Sequence, residues 1–563
     1  MSKGKTIKHN GIEFTVDSNG KLLEMKKTDP DCNDVVIPHE LPSGVIITSI
    51  GKYFLQINEE YSKITIDDRI DTIEEEAFHK AQVDKIVWPA ACKTIPKMCF
   101  SLSAVSEIIN IDEVTLVGEN AFSYCTNLTE IKWPQKCRTI PARCFFHCNV
   151  SHISGMDDVE EVQEFAFCET QFMSFNWPIK CKVIPYHCFE NSAIEKICNI
   201  SNVTEIQEGA FEQSKIKTID WPKACKRIPA ACFGHATLSS IYNIEDVEEI
   251  GKGAFAGTLM KSFDWPSKCE EIPSYCFYDS AIRTITNIDS VKHITNNAFN
   301  MCHIKAIKWP LKCEEIPYEC FKDSHLEVIS NISHVKKIEA SAFECCNIAS
   351  VFEWPKKCHT IPEECFRCTP ITGITGIEDV EIIKEGAFAA CEIKTFRWPT
   401  KCKTIPANCF SNCSLKEITN ISDVTEIGKS AFQESEIDEF HWPEKCKIIP
   451  KNCFNGSKLT RISNTGNVKN IMEYAFADCN VSLISWPPQC KVIPEGCFAY
   501  SNIGKIDNLD GIVEIEKSAF KETEFSEKLD LSKTIITHIR KDAFKGADKE
   551  KVVLPYYMLA ESI

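Results

Sequence analysis

The sequence predicts a repeat solenoid of about 23 stacked coils of roughly 22 residues, with short parallel β-strands on one face and turns and short helical turns on the other. Three observations predict it. The chain has 563 residues, well past the roughly 250–300 at which a single core stops growing. All 10 tryptophans, from Trp88 to Trp486, precede proline at intervals of 44 or 45 residues, and each opens the string W-P-x-x-C-x-x-I-P-x-x-C-F. Between these strings lie Ala-Phe pairs such as Ala121-Phe122, Ala210-Phe211 and Ala298-Phe299. Phenylalanines therefore recur every 22 or 23 residues from Phe78 to Phe520, with Phe54 and Phe544 flanking them at 24.

Two neighbouring coils show the elements. Phe211 is followed by Ile216, Ile219 and Trp221 at steps of 5, 8 and 10, and Phe233 by Leu238, Ile241 and Asn243 at the same steps. By the period of two, position eight of this strand points in, nine out and ten in. Pro222 lacks a ladder donor and ends the strand. Pro229 suits the first position of a helical turn that leads to Cys232-Phe233. The strands are expected to stack into one long parallel sheet. At position ten Trp alternates with Asn, as at Asn110, Asn199, Asn243 and Asn508, or with Gly155 and Gly376. Two accounts stand open: a corner that needs positive φ, which Asn and Gly tolerate, or a need for slim neighbours around each indole.

The string resembles the BspA-like leucine-rich-repeat family, whose units read approximately L-x-x-I-x-L-P-x-x-V-x-x-I-x-x-x-A-F-x-x-C. Leu238, Ile241, Val247, Ile250, Ala254 and Phe255 follow that pattern, and Cys125 and Cys391 supply its last cysteine. The resemblance spans roughly residues 45–545; the chain differs in placing Trp at the third strand position of alternate coils. It implies a surface-antigen or adhesin role. Residues 1–44 do not fit the unit and read as an N-terminal cap with a hairpin turning at Asp17-Ser18-Asn19-Gly20. Residues 546–563, with Val552-Val553-Leu554, read as a C-terminal cap, leaving 45–545 as the solenoid.

Composition narrows the function classes. Net charge is −17, which argues against nucleic acid as partner, since that binding needs clustered Lys and Arg. The N-terminal residues carry no signal-peptide core and no run of 18 apolar residues occurs, so the expectation is a cytoplasmic protein without membrane insertion, the alternative being the cell surface by non-classical export. The 32 cysteines lack C-x-x-C knuckles. Cys225 aligns with Val203 and Val247 of alternate coils, and Cys232 with Ala210 and Ala254, so the motif cysteines read as small core residues, reduced and buried. The Cys144, His147 and Cys148 group reads the same way. Corner charges alternate as well. Lys136, Arg138, Lys180, Lys182, Lys226, Lys401, Lys403, Lys445 and Lys447 face Glu160, Glu161, Glu205, Glu248, Glu249, Glu381 and Glu426 of intervening coils, as a ladder of ion pairs.

No catalytic constellation, cofactor motif or metal site emerges. The reading is a monomeric, non-enzymatic scaffold that binds a protein or glycan along its strand face. The alternatives are a surface antigen or adhesin, and a thiol-based redox protein. Position nine points outward and varies in size and sign. Within it Tyr242, flanked by Asp220 and Asp264, forms an acidic–aromatic anchor, with Arg397 and His441 farther along as further partner-binding residues.

Overall fold

A computed structural model describes residues 4–55 and 59–558. The chain divides into two compact units, one ending at Ile288 and one beginning at Asp289. Each is a β-solenoid in which every coil adds a rung to the one before.

Each coil has three sides. The first is the three-residue strand at positions seven to nine after Phe, such as Thr218–Asp220 and Ser240–Tyr242, which pair in parallel register with Ile219 opposite Ile241. The second is a two-residue strand that the sequence reading missed, such as Arg227–Ile228 paired with Glu249–Ile250. The third is the turn around Phe. Here the expected helical turn is not a helix, and no α-helix occurs among the described residues. The residues two before and two after Phe have left-handed backbone, as Ala231 and His235 do at φ 49° and 56° around Phe233, and that interrupts any helix. The N–H groups of Ala231, Phe233 and His235 donate to Lys252, Ala254 and Ala256 of the next coil at 2.9, 3.0 and 2.6 Å. Those of Gly234 and Ala236 close three-residue turns within the coil at 3.0 and 2.9 Å. The turn side is thus its own inter-coil ladder, and its backbone polar groups are satisfied without a helix.

The core is the space these three sides enclose. The phenylalanines form a column of rings, stacked at 5.7 Å between Phe189 and Phe211 and 5.6 Å between Phe211 and Phe233 in the first unit. In the second unit the same column runs through Phe388, Phe410 and Phe432 at 5.6 and 6.0 Å. Every tryptophan is buried, its indole N–H donating to the carbonyl of the cysteine four residues on, as from Trp221 to Cys225 at 3.0 Å. The motif cysteines are buried and free. They fill core space as Val and Ala do in the alternate coils.

Position ten settles the open question about Asn and Gly. Asn110, Asn199, Asn243, Asn287, Asn331, Asn420, Asn464 and Asn508 have φ between 59° and 67°, and Gly155 and Gly376 have 75°. The corner requires left-handed backbone. Space acts too, although on a carbonyl rather than on the indole: a Cβ at Gly376 would stand 2.7 Å from Trp354 O. Asn331 uses the same proximity, donating its amide to Trp309 O at 2.8 Å. The expectation that position ten points inward therefore holds only in the tryptophan coils. In the others the left-handed residue breaks the alternation and Asn243 is exposed, while Ile244 behind it enters the core.

At the N-terminus Lys5–His9, Ile12–Val16 and Lys21–Lys27 form an antiparallel meander whose third strand joins Ser49–Ile50 in parallel. Its turn lies where the sequence placed it: Asp17 accepts from Lys21 N at 2.9 Å through its carboxylate, and Gly20 has φ 83°. The strand-face ladder begins at Asp34–Ile37, paired with Glu60–Ile66. At the other end Val552–Val553 pairs with Leu529–Asp530.

Candidate functional site

The expected single sheet is interrupted in a regular way. The strand of each tryptophan coil pairs with that of the following Asn or Gly coil, as Thr218–Asp220 does with Ser240–Tyr242 and Ser262–Asp264 with Thr284–Thr286. Among the described residues no ladder joins Ser240–Tyr242 to Ser262–Asp264. Trp221 N donates to Tyr242 O at 2.9 Å and closes the pair. Asn243, left-handed, then carries the chain out of line with the next strand. On the strand face the hydrogen-bonding module is thus two coils, the 44- or 45-residue tryptophan period. An exception lies at Arg461–Ser463, which pairs over two residues with Leu483–Ser485.

Where the ladder lapses the strand face opens into grooves. One of about 390 Å³ lies between Tyr242 and Asp264 and is lined by Ile241, Phe263 and Asn287 among others. Another, of about 520 Å³, lies at Ser330 and Glu353. A third, of about 430 Å³, lies at Thr419 and His441. Ile241, Ile329 and Ile418, at inward-facing position eight, are only half-buried because each stands at a groove wall. Each groove thus offers apolar side chains between polar strand ends, the arrangement a binding surface needs.

The five sequence-predicted residues are all exposed. Tyr242 and Asp264 meet across the first groove, and Tyr242 is 53% exposed. Asp220 stands opposite Tyr242 in the paired strand, outside the groove lining. Asp264 accepts from the Thr286 hydroxyl at 3.0 Å. In the second unit His441 lines the third groove and bonds Ser463 at 3.0 Å, and Arg397 stands in register with Thr419. The grooves themselves were missed, because they depend on hydrogen bonds that lapse rather than on any residue type.

The corner charges do pair between coils, largely through aspartates that the sequence reading passed over. Lys180, Lys268, Lys401 and Lys445 bind Asp158, Asp246, Asp379 and Asp423 at 2.6, 2.6, 2.8 and 2.6 Å. Hydrogen bonds from these lysines hold the four carboxyls below the usual range. Glu160 pairs with Arg138 as read, whereas Glu249 pairs with Arg227, a cation the sequence reading did not name. All these partners are solvated, so each pair contributes little to stability.

The buried motif thiols are poor nucleophiles. Burial pushes Cys181 and Cys225 up to about 12 and holds Cys188 and Cys232 well above the ordinary thiol range. One group with metal-ligand donors occurs among the described residues. His187 Nδ1 lies 3.0 Å from Glu190 and 3.6 Å from Glu212, all three half-buried. An imidazole between two carboxylates is equally an ion pair, and sequence reading missed it because its members come from adjacent coils.

A family model of the BspA type leucine rich repeat region matches residues 48–173, 160–283, 292–416 and 425–551. The chain belongs to this family. Its BspA-type repeats occur in both units. No match was found among curated proteins. Among solved structures, a leucine rich cell surface protein from Faecalibacterium prausnitzii is 15% identical, covering 67% of this chain and 94% of its own, with a TM-score of 0.34. A leucine-rich repeat protein from Bacteroides ovatus is 17% identical over 82% and 99%, with a TM-score of 0.35. YopM from Yersinia enterocolitica is 12% identical over 79% and 85%, with a TM-score of 0.38. No helix among the described residues is long and apolar enough to cross a membrane.

Proposed function

We propose that this BspA-type repeat protein is a non-enzymatic scaffold that holds a protein partner on its strand face, anchored in the groove between Tyr242 and Asp264. The observation that carries the reading is that groove: a half-exposed tyrosine, a half-buried isoleucine and a carboxylate face one opening of about 390 Å³. An aromatic side chain beside a carboxylate suits a basic side chain of an extended peptide, with cation–π and charge attraction acting together. Asp220 extends the negative potential on the neighbouring strand. At the corner Lys180, Lys268, Lys401 and Lys445 are occupied by their aspartates, which leaves it less suited to a partner. In this reading the described parts of 1–44 and 546–563 serve as end covers for the terminal coils, residues 1–3 and 559–563 lying outside the described residues.

The test is selection of binders from a random displayed-peptide library on the immobilised chain. Selected peptides should be enriched in Lys and Arg. They should lose at least tenfold in affinity for a chain carrying Asp220→Lys, Tyr242→Ala and Asp264→Lys, and keep it for one carrying Lys401→Glu and Lys403→Glu. Loss with the corner pair alone overturns the strand-face reading.

A further inference from the structure

Four of the 32 cysteines are not buried: Cys32, Cys198, Cys345 and Cys368. Two of these four occupy the same position in consecutive coils. Cys345 follows Phe343 by two residues and Cys368 follows Phe366 by two, and no other coil has Cys there. Both have the left-handed backbone of that column, at φ 53° and 57°. The two rungs are locked together, since Cys345 N donates to Arg367 O at 2.8 Å and the two phenylalanine rings stack at 5.5 Å. Equal backbone conformation on adjacent rungs sends the two side chains out in the same direction. A rung spacing of about 4.8 Å puts their Cα atoms inside the range of roughly 4.4–6.8 Å that a disulfide spans. The motif cysteines, recurring every second coil, are denied this.

The two thiols differ in exposure. Cys368 is exposed, whereas Cys345 is half-buried. Burial, then the neighbouring Cys368 sulfur within hydrogen-bonding reach, pushes the Cys345 thiol up to about 12. Cys368 is therefore the thiol that a solute meets first, and Cys345 is the one placed to resolve what forms there.

We propose that Cys345 and Cys368 are an oxidation-sensitive pair that a small disulfide of the glutathione class converts into an inter-coil disulfide. Cys368, as thiolate, attacks one sulfur of the small disulfide. A mixed disulfide forms and one glutathione thiol leaves with a proton. Cys345 then gives up its proton and attacks the Cys368 sulfur, forming the protein S–S bond and releasing the second glutathione thiol. Two protein thiols are oxidised, one small disulfide is reduced to two thiols, and no other oxidant is needed. The product staples two rungs of the second unit together beside otherwise inert cysteines.

The folded full chain is incubated with excess oxidised glutathione, blocked with N-ethylmaleimide and mapped by non-reducing tryptic mass spectrometry. The expected product in most molecules is peptide 338–356 linked to peptide 368–384. Because the first peptide holds both Cys345 and Cys346, two variants assign the link, with far-UV circular dichroism confirming that each is folded. Cys345→Ser should stop at glutathione on Cys368, and Cys368→Ser should give no link. Cys32 and Cys198, each without such a neighbour, should carry glutathione only. A link that persists in Cys345→Ser, or stable glutathione on Cys368 of the unaltered chain without a link, overturns the proposal.

Discussion

Raising the pH should unfold this protein through its buried thiols. The second cysteine of each motif, from Cys99 to Cys497, is fully buried at all 10 positions, and burial holds each of these thiols well above the ordinary range. An acid whose folded pKa is raised leaves stability untouched below the unfolded pKa, about 8.5 for Cys. Above it the unfolded chain ionises and the folded chain does not, so stability falls as pH rises. At pH 10 each thiol favours the unfolded chain by about 2 kcal/mol, and the five in each unit together by about 10 kcal/mol. That is comparable with the roughly 5–15 kcal/mol of an ordinary domain. Circular dichroism and thiolate absorbance at 240 nm, followed together from pH 7 to 11, should show the buried thiols ionising together with the loss of fold, between about pH 9 and 11. More thiolate near pH 8.5 with the fold intact than the four unburied cysteines can supply would refute the burial argument.

Other consequences are local. Asn331→Ala should cost roughly 2 kcal/mol in denaturant unfolding, from left-handed strain and the lost bond to Trp309 O, while Asn331→Gly should cost less because the backbone is free to keep φ near 64°. Trp221→Phe should cost about 1–3 kcal/mol by leaving the buried Cys225 carbonyl without its indole donor. Asp158, Asp246, Asp379 and Asp423 have depressed folded pKa values. Their stabilising contribution is thus present above the unfolded carboxyl range, near pH 4, and lost as pH falls through the folded values; chains with Lys401→Met and Lys445→Met should show a shallower loss of melting temperature between about pH 5 and 3.

What the sequence made legible was whatever repeats as a residue type. The Phe column, the Trp-Pro corner and the cysteines that stand in for Val and Ala all sit where their period placed them, because burial selects type at each rung. The left-handed residues around Phe could not be read in this way. Ala231 and His235, or Arg143 and His147, share no chemistry, and their φ is imposed by hydrogen bonds to the next coil rather than by preference. The two-residue strands are too short to show alternation. Asp246 was passed over for Glu248 and Glu249 because the choice of ion-pair partner depends on side-chain reach across rungs. Tyr242 and Asp264 were named from an outward column, but the groove that unites them follows from Asn243 turning the chain away.

The measurement that bears most directly on the scaffold reading is hydrogen–deuterium exchange of the chain with and without a selected basic peptide. Binding in the Tyr242 groove predicts added protection in 239–245 and 260–267, the segments that line it, and unchanged exchange at the Asp379–Lys401 corner. Protection confined to that corner, or none in either groove segment, would contradict it.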